Sequence, residues 1–355
     1  MGTLFEFYKG RRVFITGHTG FKGAWLSQML LLLGAQVTGY ALGAPTEPSL
    51  FDILGLAREI SSTLGDIRDY EALKAAFDRA KPEFVLHLAA QPIVLEGYRD
   101  PGNTYETNVM GTVNLLECVR HCDTVCSVVN VTTDKVYHAY DGVKGYREDD
   151  ILDGFDPYSN SKSCSELVTG CYRNSFFAKA GLPVSTMRSA NVIGGGDFAV
   201  NRIIPDCVRA AMTHRILMLR NPNAVRPYQH VLESLSAYLL LAMRQFESPE
   251  LAGAYNIGPG EEGCVSTERL VRLFREIFGA PEHITHQEAN APYEASVLTL
   301  DCSKALSVLG WRPTLRIGQA VALTADWTRA WLDGQDIGKV TCGQIESFLQ
   351  DREAL

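Results

Sequence analysis

The sequence predicts an α/β protein, a doubly wound parallel sheet with a smaller mixed α/β unit attached. Three observations predict it. Short apolar runs at Arg12 to Thr16, Gln36 to Leu42, Glu59 to Leu64, Glu83 to Leu88, Ser127 to Thr132 and Pro183 to Arg188 alternate with helical patterns. The first run enters a Gly-x-x-Gly-x-x-Gly turn that opens a helix. Beyond about residue 190 this alternation fails, and turn-rich, Pro-rich segments replace it.

The composition narrows the function classes. A chain of 355 residues, 46% hydrophobic and 21% charged, reads as soluble and globular with ample core. Its net charge of −8 argues against nucleic acid as a partner, because phosphate binding needs a basic face. The segment Met1 to Lys9 does not read as a signal peptide, and Met29 to Leu33 is too short to span a bilayer. A cytoplasmic protein without membrane contact is expected. Nine cysteines are scattered through apolar segments; Cys118, Cys122 and Cys126 lack a histidine pair at ligand spacing, so buried reduced thiols are expected and no metal site.

Taken in order, Arg12 to Thr16 is a strand running into Gly17, His18, Thr19, Gly20, Phe21, Lys22 and Gly23, with a helix from about Ala24 to Leu33. Glycine at these points permits a tight turn, close approach of a pyrophosphate and close helix–strand packing. The helix N-terminus offers free N–H groups to phosphate. A Rossmann-type dinucleotide site is expected here, with a purely structural glycine turn as the alternative. The strand Gln36 to Leu42 ends in Tyr40, Ala41, Leu42 and Gly43 with no acid to hold a ribose, so NAD and NADP both remain open. Asp66 follows the third strand and also suits the N-cap of a helix from Tyr70 to Ala80. The fourth strand ends in Ala89, Ala90, Gln91 and Pro92, small enough to lie against a cofactor. Asn108 lies in a helix from Thr104 to His121 and is expected to tie it to the central strands. The fifth strand delivers Thr133, Asp134 and Lys135 at its carboxyl end, where open parallel sheets bind ligands. Arg147 to Asp150 reads as a solvated loop before a helix from Pro157 to Lys179.

Tyr158 and Lys162 lie four residues apart at the start of that helix and project from one face. A phenol of pKa ~10 is a poor base, and a nearby ammonium favours the phenolate. The expected organisation is a nucleotide domain over 1–190 and about 228–257, a substrate domain over about 191–227 and 258–330, and a polar tail over 332–355. A short helix at Gln344 to Leu355 is expected in the tail, mobile or packed on a partner subunit.

The glycine spacing, Asn108-x-x-Gly111-Thr112 and Tyr158-x-x-x-Lys162 resemble the extended short-chain dehydrogenase/reductase superfamily. Within it, Asp134-Lys135 after a catalytic hydroxyl residue resembles the CDP-glucose 4,6-dehydratases, where dTDP-glucose dehydratases carry Asp-Glu. His18 to Gly23, Asn191 to Asp197, Leu219 to Asn223, Arg226-Pro227 and Leu309 to Pro313 extend the likeness over nearly the whole chain. The chain departs from it at Leu95, Glu96, Gly97 and Tyr293, beside the expected sugar pocket.

The resemblance implies a cofactor, NAD with NADP still open, against Gly17, His18, Thr19, Gly20, Phe21, Lys22, Gly23, Asp66, Ile67, Leu88, Ala89, Ala90, Gln91, Thr132, Tyr158 and Lys162. It implies a nucleotide-sugar substrate, CDP-glucose, with Asn191, Arg202 and Arg226 at the diphosphate and Tyr293 near the sugar. It implies catalysis by Thr133, Asp134, Lys135, Tyr158 and Lys162: oxidation at C4, loss of water across C5 and C6, and hydride return to C6. Lys135 is favoured as the C5 base and protonated Asp134 as the acid, with the reverse left open, as is a structural ion pair. A homodimer or dimer of dimers through the helices at Thr104 to His121 and Pro157 to Lys179 is implied as well. Two other classes stand beside this one, a nucleotide-sugar 4-epimerase or 4-reductase, which needs no elimination pair, and a cofactor-sensing regulator, which needs no Tyr-Lys pair.

Overall fold

The computed structural model describes residues 4–139, 145–279, 283–285 and 296–353. Seven strands form one parallel sheet: β1 (Arg12–Thr16), β2 (Gln36–Ala41), β3 (Ser61–Leu64), β4 (Phe84–His87), β5 (Ser127–Thr133), β6 (Val184–Ser189) and, after three intervening strands, β10 (Ala254–Ile257). Their spatial order is β10-β6-β5-β4-β1-β2-β3, so the chain reverses direction between β1 and β4. In open α/β sheets that switch point opens a ligand crevice at the carboxyl ends of the strands. Every residue of β4 and β5 is buried, as expected of central parallel strands covered on both faces.

Helices cover the two faces. On one lie α1 (Phe21–Leu32) and, far along the chain, α6 (Val231–Glu247), with Trp25, Met29, Leu235 and Tyr238 in a common core. On the other lie α2 (Tyr70–Ala80), α3 (Gly111–Arg120) and α4 (Pro157–Tyr172), with Phe77, Leu115 and Phe177 in a second core. Short helical turns, Pro101–Tyr105 and a π turn over Glu106–Met110, lead straight into α3. The first helix starts earlier than its sequence pattern suggests, because Gly20 is extended (φ −76°, ψ 170°) and caps it directly. Asp69, not Asp66, caps α2, its carboxylate accepting from the Ala72 N–H.

The smaller unit holds a three-stranded sheet, β11 (Cys264–Ser266), β9 (Val225–His230) and β7 (Asn191–Ile193), and a parallel pair, β8 (Leu217–Leu219) with β12 (His283–Thr285). Around them pack α5 (Ile203–Met212) and α7 (Thr267–Phe278), with Ile204, Phe274 and Tyr228 in the core. Helix α8 (Ile317–Leu332) serves both units: Val321 and Ala325 enter this core, while Trp327 and Ala330 enter the core beneath the large sheet.

The segment expected as a tail is built differently. Residues Ile337–Glu353 form a helix of 17 residues, α9, that docks on the chain's own core through Ile345 and Phe348. Trp327 donates to the Thr341 hydroxyl (2.9 Å), and Arg352 reaches the Glu233 carboxylate (3.1 Å) at the first turn of α6. Glu233 also accepts from the N–H groups of Thr314 and Leu315, so a charge only 1% exposed is fully engaged. The pattern misled because the helix has few apolar residues and spends them on one narrow contact. Among the cysteines, Cys118 and Cys207 are buried, whereas Cys171 is exposed and the other six are half-buried. No helix among the described residues is long and apolar enough to cross a membrane.

Candidate active site

Strand β5 and helix α4 meet at the carboxyl edge of the sheet. The strand ends at Thr133, and a single turn, Asp134–Val136, follows. Thr133 Oγ donates to Asp134 Oδ1 (3.0 Å). Asp134 is 1% exposed, and its other carboxyl oxygen has no partner among the described residues. Lys135 stands beside it, half-buried. Helix α4 starts where it does because Asp156 caps it, accepting from the Ser159 N–H (3.0 Å), and because Pro157 supplies a first position that needs no donor. That start places Tyr158 in the first turn, over the end of β5.

The phenol of Tyr158 is buried and hydrogen-bonded to Thr133; burial pushes it up to about 12, against the pull of the Thr133 bond and of Arg202. The Lys162 ammonium donates to the Val131 carbonyl (3.1 Å), and burial, helped by Lys22, draws it down to about 8. The sequence pairs Tyr158 with Lys162 directly. The structure instead ties each to β5, at Thr133 and Val131. Lys22 reaches toward them from α1, its ammonium near the hydroxyls of Tyr238 (3.3 Å) and Ser189 (3.5 Å).

The glycine turn abuts this centre. Gly17 has φ +79°, and a Cβ there would lie 2.7 Å from the Ala89 nitrogen. A Cβ on Gly23 would overlap the Gly17 carbonyl. Gly20 caps α1 without a side chain, which leaves the first-turn N–H groups without a side-chain acceptor. Thr16 Oγ accepts from the N–H groups of Leu88 and Ala89 (both 3.2 Å), which sets the height of the loop after β4. His18 packs its ring over Gly39, where no Cβ would fit, and bonds Ser62 (2.7 Å); burial draws it down to about 4, so it is neutral near pH 7. Thr19 donates to the Leu42 carbonyl (2.9 Å).

On the other side of the cleft, Arg202 pairs with Asp197 (2.9 Å) and is close enough to Tyr158 that each favours the other's charge. Asn191 opens β7, opposite Tyr228 in register. Arg226 is buried on β9, with one guanidinium nitrogen on the Val225 carbonyl (2.8 Å). Tyr293 lies outside the described residues.

The family model described as GDP-mannose 4,6 dehydratase matches residues 14–324. The chain belongs to the GDP-mannose 4,6 dehydratase family. It is 46% identical over 350 residues to the CDP-glucose 4,6-dehydratase of Salmonella typhimurium, covering 97% of this chain and 98% of that one. Among solved structures it resembles a UDP-glucose 4-epimerase from Thermus thermophilus in complex with NAD (26% identity, TM-score 0.76, covering 90% and 99%). A dTDP-glucose 4,6-dehydratase from Streptomyces venezuelae with NAD and TYD bound shares the fold (24%, TM-score 0.78, covering 91% and 98%).

In this member of the GDP-mannose 4,6 dehydratase family, several residues expected at the cofactor have their side chains committed elsewhere. The Thr132 hydroxyl donates to Glu166 beneath α4. Ile67 is buried against Gly111. Gln91 uses its amide on Thr104 (2.9 Å) and its carbonyl on the Ile93 N–H (2.6 Å). Asp66 forms a close pair with Arg68 (2.6 Å), whose hydrogen bonds hold the carboxyl below its usual range. Asn108 links the Gln91 backbone (2.8 and 3.1 Å) to Ser161 on α4 (2.9 Å), so it joins a loop to that helix rather than a helix to strands.

The loop at Arg147 to Asp150 is anchored as well: Glu148 accepts from the Asn256 N–H (2.8 Å) and gives its carbonyl to Arg188 (2.9 Å). Sequence reasoning missed Glu166, Arg188 and Asp197. Glu166 carried a usable signal, being four residues beyond Lys162 on the same helix face.

Proposed function

We propose that the protein dehydrates CDP-D-glucose to CDP-4-dehydro-6-deoxy-D-glucose with NAD as cofactor. The observation that carries this reading is the meeting of Thr133, Asp134 and Lys135 with Tyr158 and Lys162 at one sheet edge. An epimerase or reductase needs a Tyr-Lys pair but no acid and base for elimination. The 46% identical relative named for this reaction supports it.

The residues present fit a dinucleotide: a Cβ at Gly17 would strike the Ala89 backbone and one at Gly23 the Gly17 carbonyl, so both keep the turn tight, and Gly20 caps α1 without a side chain, leaving the first-turn N–H groups without a side-chain acceptor. NAD, when bound, supplies a hydride acceptor for C4 and a hydride donor for C6. Thr133 and Tyr158 hold the C4 oxygen, and Tyr158 takes its proton, with Lys162 and Arg202 as the cations favouring phenolate. The C4 ketone acidifies the C5 proton. Lys135 removes that proton, while Asp134, with one free buried oxygen, gives a proton to the C6 hydroxyl, which leaves as water. Asn191, Arg202 and Arg226 take the diphosphate. The active form is a homodimer packed through the helical stretches 104–121 and 157–179, where Met110 and Leu167 are exposed side chains.

Mass spectrometry after incubating purified protein and NAD with CDP-, UDP-, GDP- and dTDP-glucose tests the reaction. Loss of one water from CDP-glucose without net NADH is expected. Dehydration of a different nucleotide would correct the substrate, and an isomer of unchanged mass would overturn the dehydratase reading. The acid and base are separable in heavy water. Deuterium exchange at C5 is expected to persist in Asp134→Asn and to disappear in Lys135→Met; the opposite pattern would exchange their roles.

A further inference from the structure

The mechanism above leaves a buried carboxylate on the helix of Tyr158 and Lys162 unused. Glu166 is one turn beyond Lys162, on the same face of α4 as Tyr158. Its carboxylate accepts from the Thr132 hydroxyl, from Thr186 Oγ (2.6 Å) and from Arg188 Nη2 (3.1 Å). The Arg188–Glu166 side chains are 4% and 3% exposed. Thr132 and Arg188 are register partners on β5 and β6, and Thr132 directly precedes Thr133. One carboxylate thus fastens the helix carrying Tyr158 and Lys162 to the strand carrying Thr133 and Asp134.

The surroundings of Lys162 give that carboxylate a second effect. Lys22 faces Lys162 from α1 and His87 faces it from β4, with Tyr158 and Glu166 on its own helix. His87 is held neutral: burial, with Lys162 second, draws it down to about 3, and its ring nitrogens bond Thr16 (2.6 Å) and Thr112 (3.2 Å). Glu166 is therefore the negative group set against two ammonium groups, and it is the influence that raises Lys162. Glu166 itself faces Arg188 from β6, Arg173 from the turn after α4, and Tyr137 from the turn after β5. Burial works against the Arg188 charge, and Glu166 and Tyr137 together outweigh it, holding the guanidinium above its usual range.

We propose that Glu166 is a positioning residue for the reaction, clamping the catalytic helix onto β5 and β6 through Thr132, Thr186 and Arg188 while supplying the counter-charge to Lys162. The proposal rests on the roles given above to Tyr158 and Lys162. A carboxylate that merely held the fold together would change stability and leave the titration of Lys162 where it was.

The test follows the Lys162 side chain directly, by carbon NMR of protein labelled at the lysine ε-carbons, with Lys162→Met assigning the signal. In the parent the ammonium is expected to titrate at about 8. In Glu166→Gln the midpoint falls by about half a unit or more, because the ammonium loses its anionic neighbour. The alkaline limb of the dehydration rate moves to lower pH by the same amount. Glu166→Gln leaves Arg188 buried and unpaired, so the double variant Glu166→Gln/Arg188→Met, which removes both charges, keeps the test open if the single one unfolds. A downward shift, smaller because a cation is lost with the anion, is expected there. A Lys162 midpoint unchanged from the parent in a folded variant, with only the melting temperature lowered, overturns the proposal. The titration needs no substrate, so a parent that dehydrates no nucleotide-glucose would sink the function while the Glu166 result still reads.

Discussion

Tyr158→Phe is expected to lower kcat for dehydration of CDP-glucose by about 10²–10⁴-fold, the range over which a positioned acid or base contributes. The argument runs from the burial of the phenol. It is hydrogen-bonded to Thr133, and burial holds it near 12, so at neutral pH it is a proton store until cations gather around it. Arg202 is the cation whose pull already opposes that burial, from the far side of the cleft. Removing the oxygen leaves Thr133 and Asp134 in place, since their own hydrogen bond does not involve Tyr158. KM should therefore change little while kcat collapses, the pattern of an interaction made in the transition state. Steady-state kinetics over pH 5 to 9 checks this. A Phe variant keeping more than about a tenth of the parent kcat would remove Tyr158 from the chemistry.

Gly23→Ala is expected to abolish measurable NAD binding, a loss of at least about 100-fold in affinity, or about 2.7 kcal/mol. A methyl group at this position overlaps the Gly17 carbonyl and approaches His18 Cα to 2.7 Å, so it meets backbone, which cannot swing aside. Gly17 in turn lies against Ala89, so a displaced turn presses on the loop after β4. The fold should survive with about 1–3 kcal/mol less stability, the usual range for overpacking. Calorimetric titration with NAD and urea unfolding separate the two effects. An Ala variant that binds NAD within about twofold of the parent, at unchanged stability, would show that the tight turn does not fix the pyrophosphate.

The sheet was legible in the sequence because its central strands are short apolar runs, buried throughout in β4 and β5, set between helical patterns and turn residues. The glycine turn was legible because its spacing serves a backbone requirement. Tyr158 and Lys162 were legible as a pair by helical spacing, yet their hydrogen bonds to Thr133 and Val131 were not, since those depend on how α4 lies across β5. Glu166 and Arg188 look in sequence like a helix-surface acid and a strand-end base. Their burial against one another requires that β6 pass beneath α4, a contact between residues 22 positions apart. The same limit applies to α9, whose polar composition hides the few side chains that face the core.

The latch between α9 and α6 also orders events in time. A chain made from its amino end completes the last strand of the large sheet at Ile257, eighty residues before α9 begins at Ile337. Until Arg352 has been synthesised, Glu233 is a carboxylate without its cation, and the core around Trp327 lacks Ile345 and Phe348. The large sheet is thus complete while its core is still open on the side that α9 will cover, and apolar surface exposed at that stage is prone to aggregation until the molecule closes on itself.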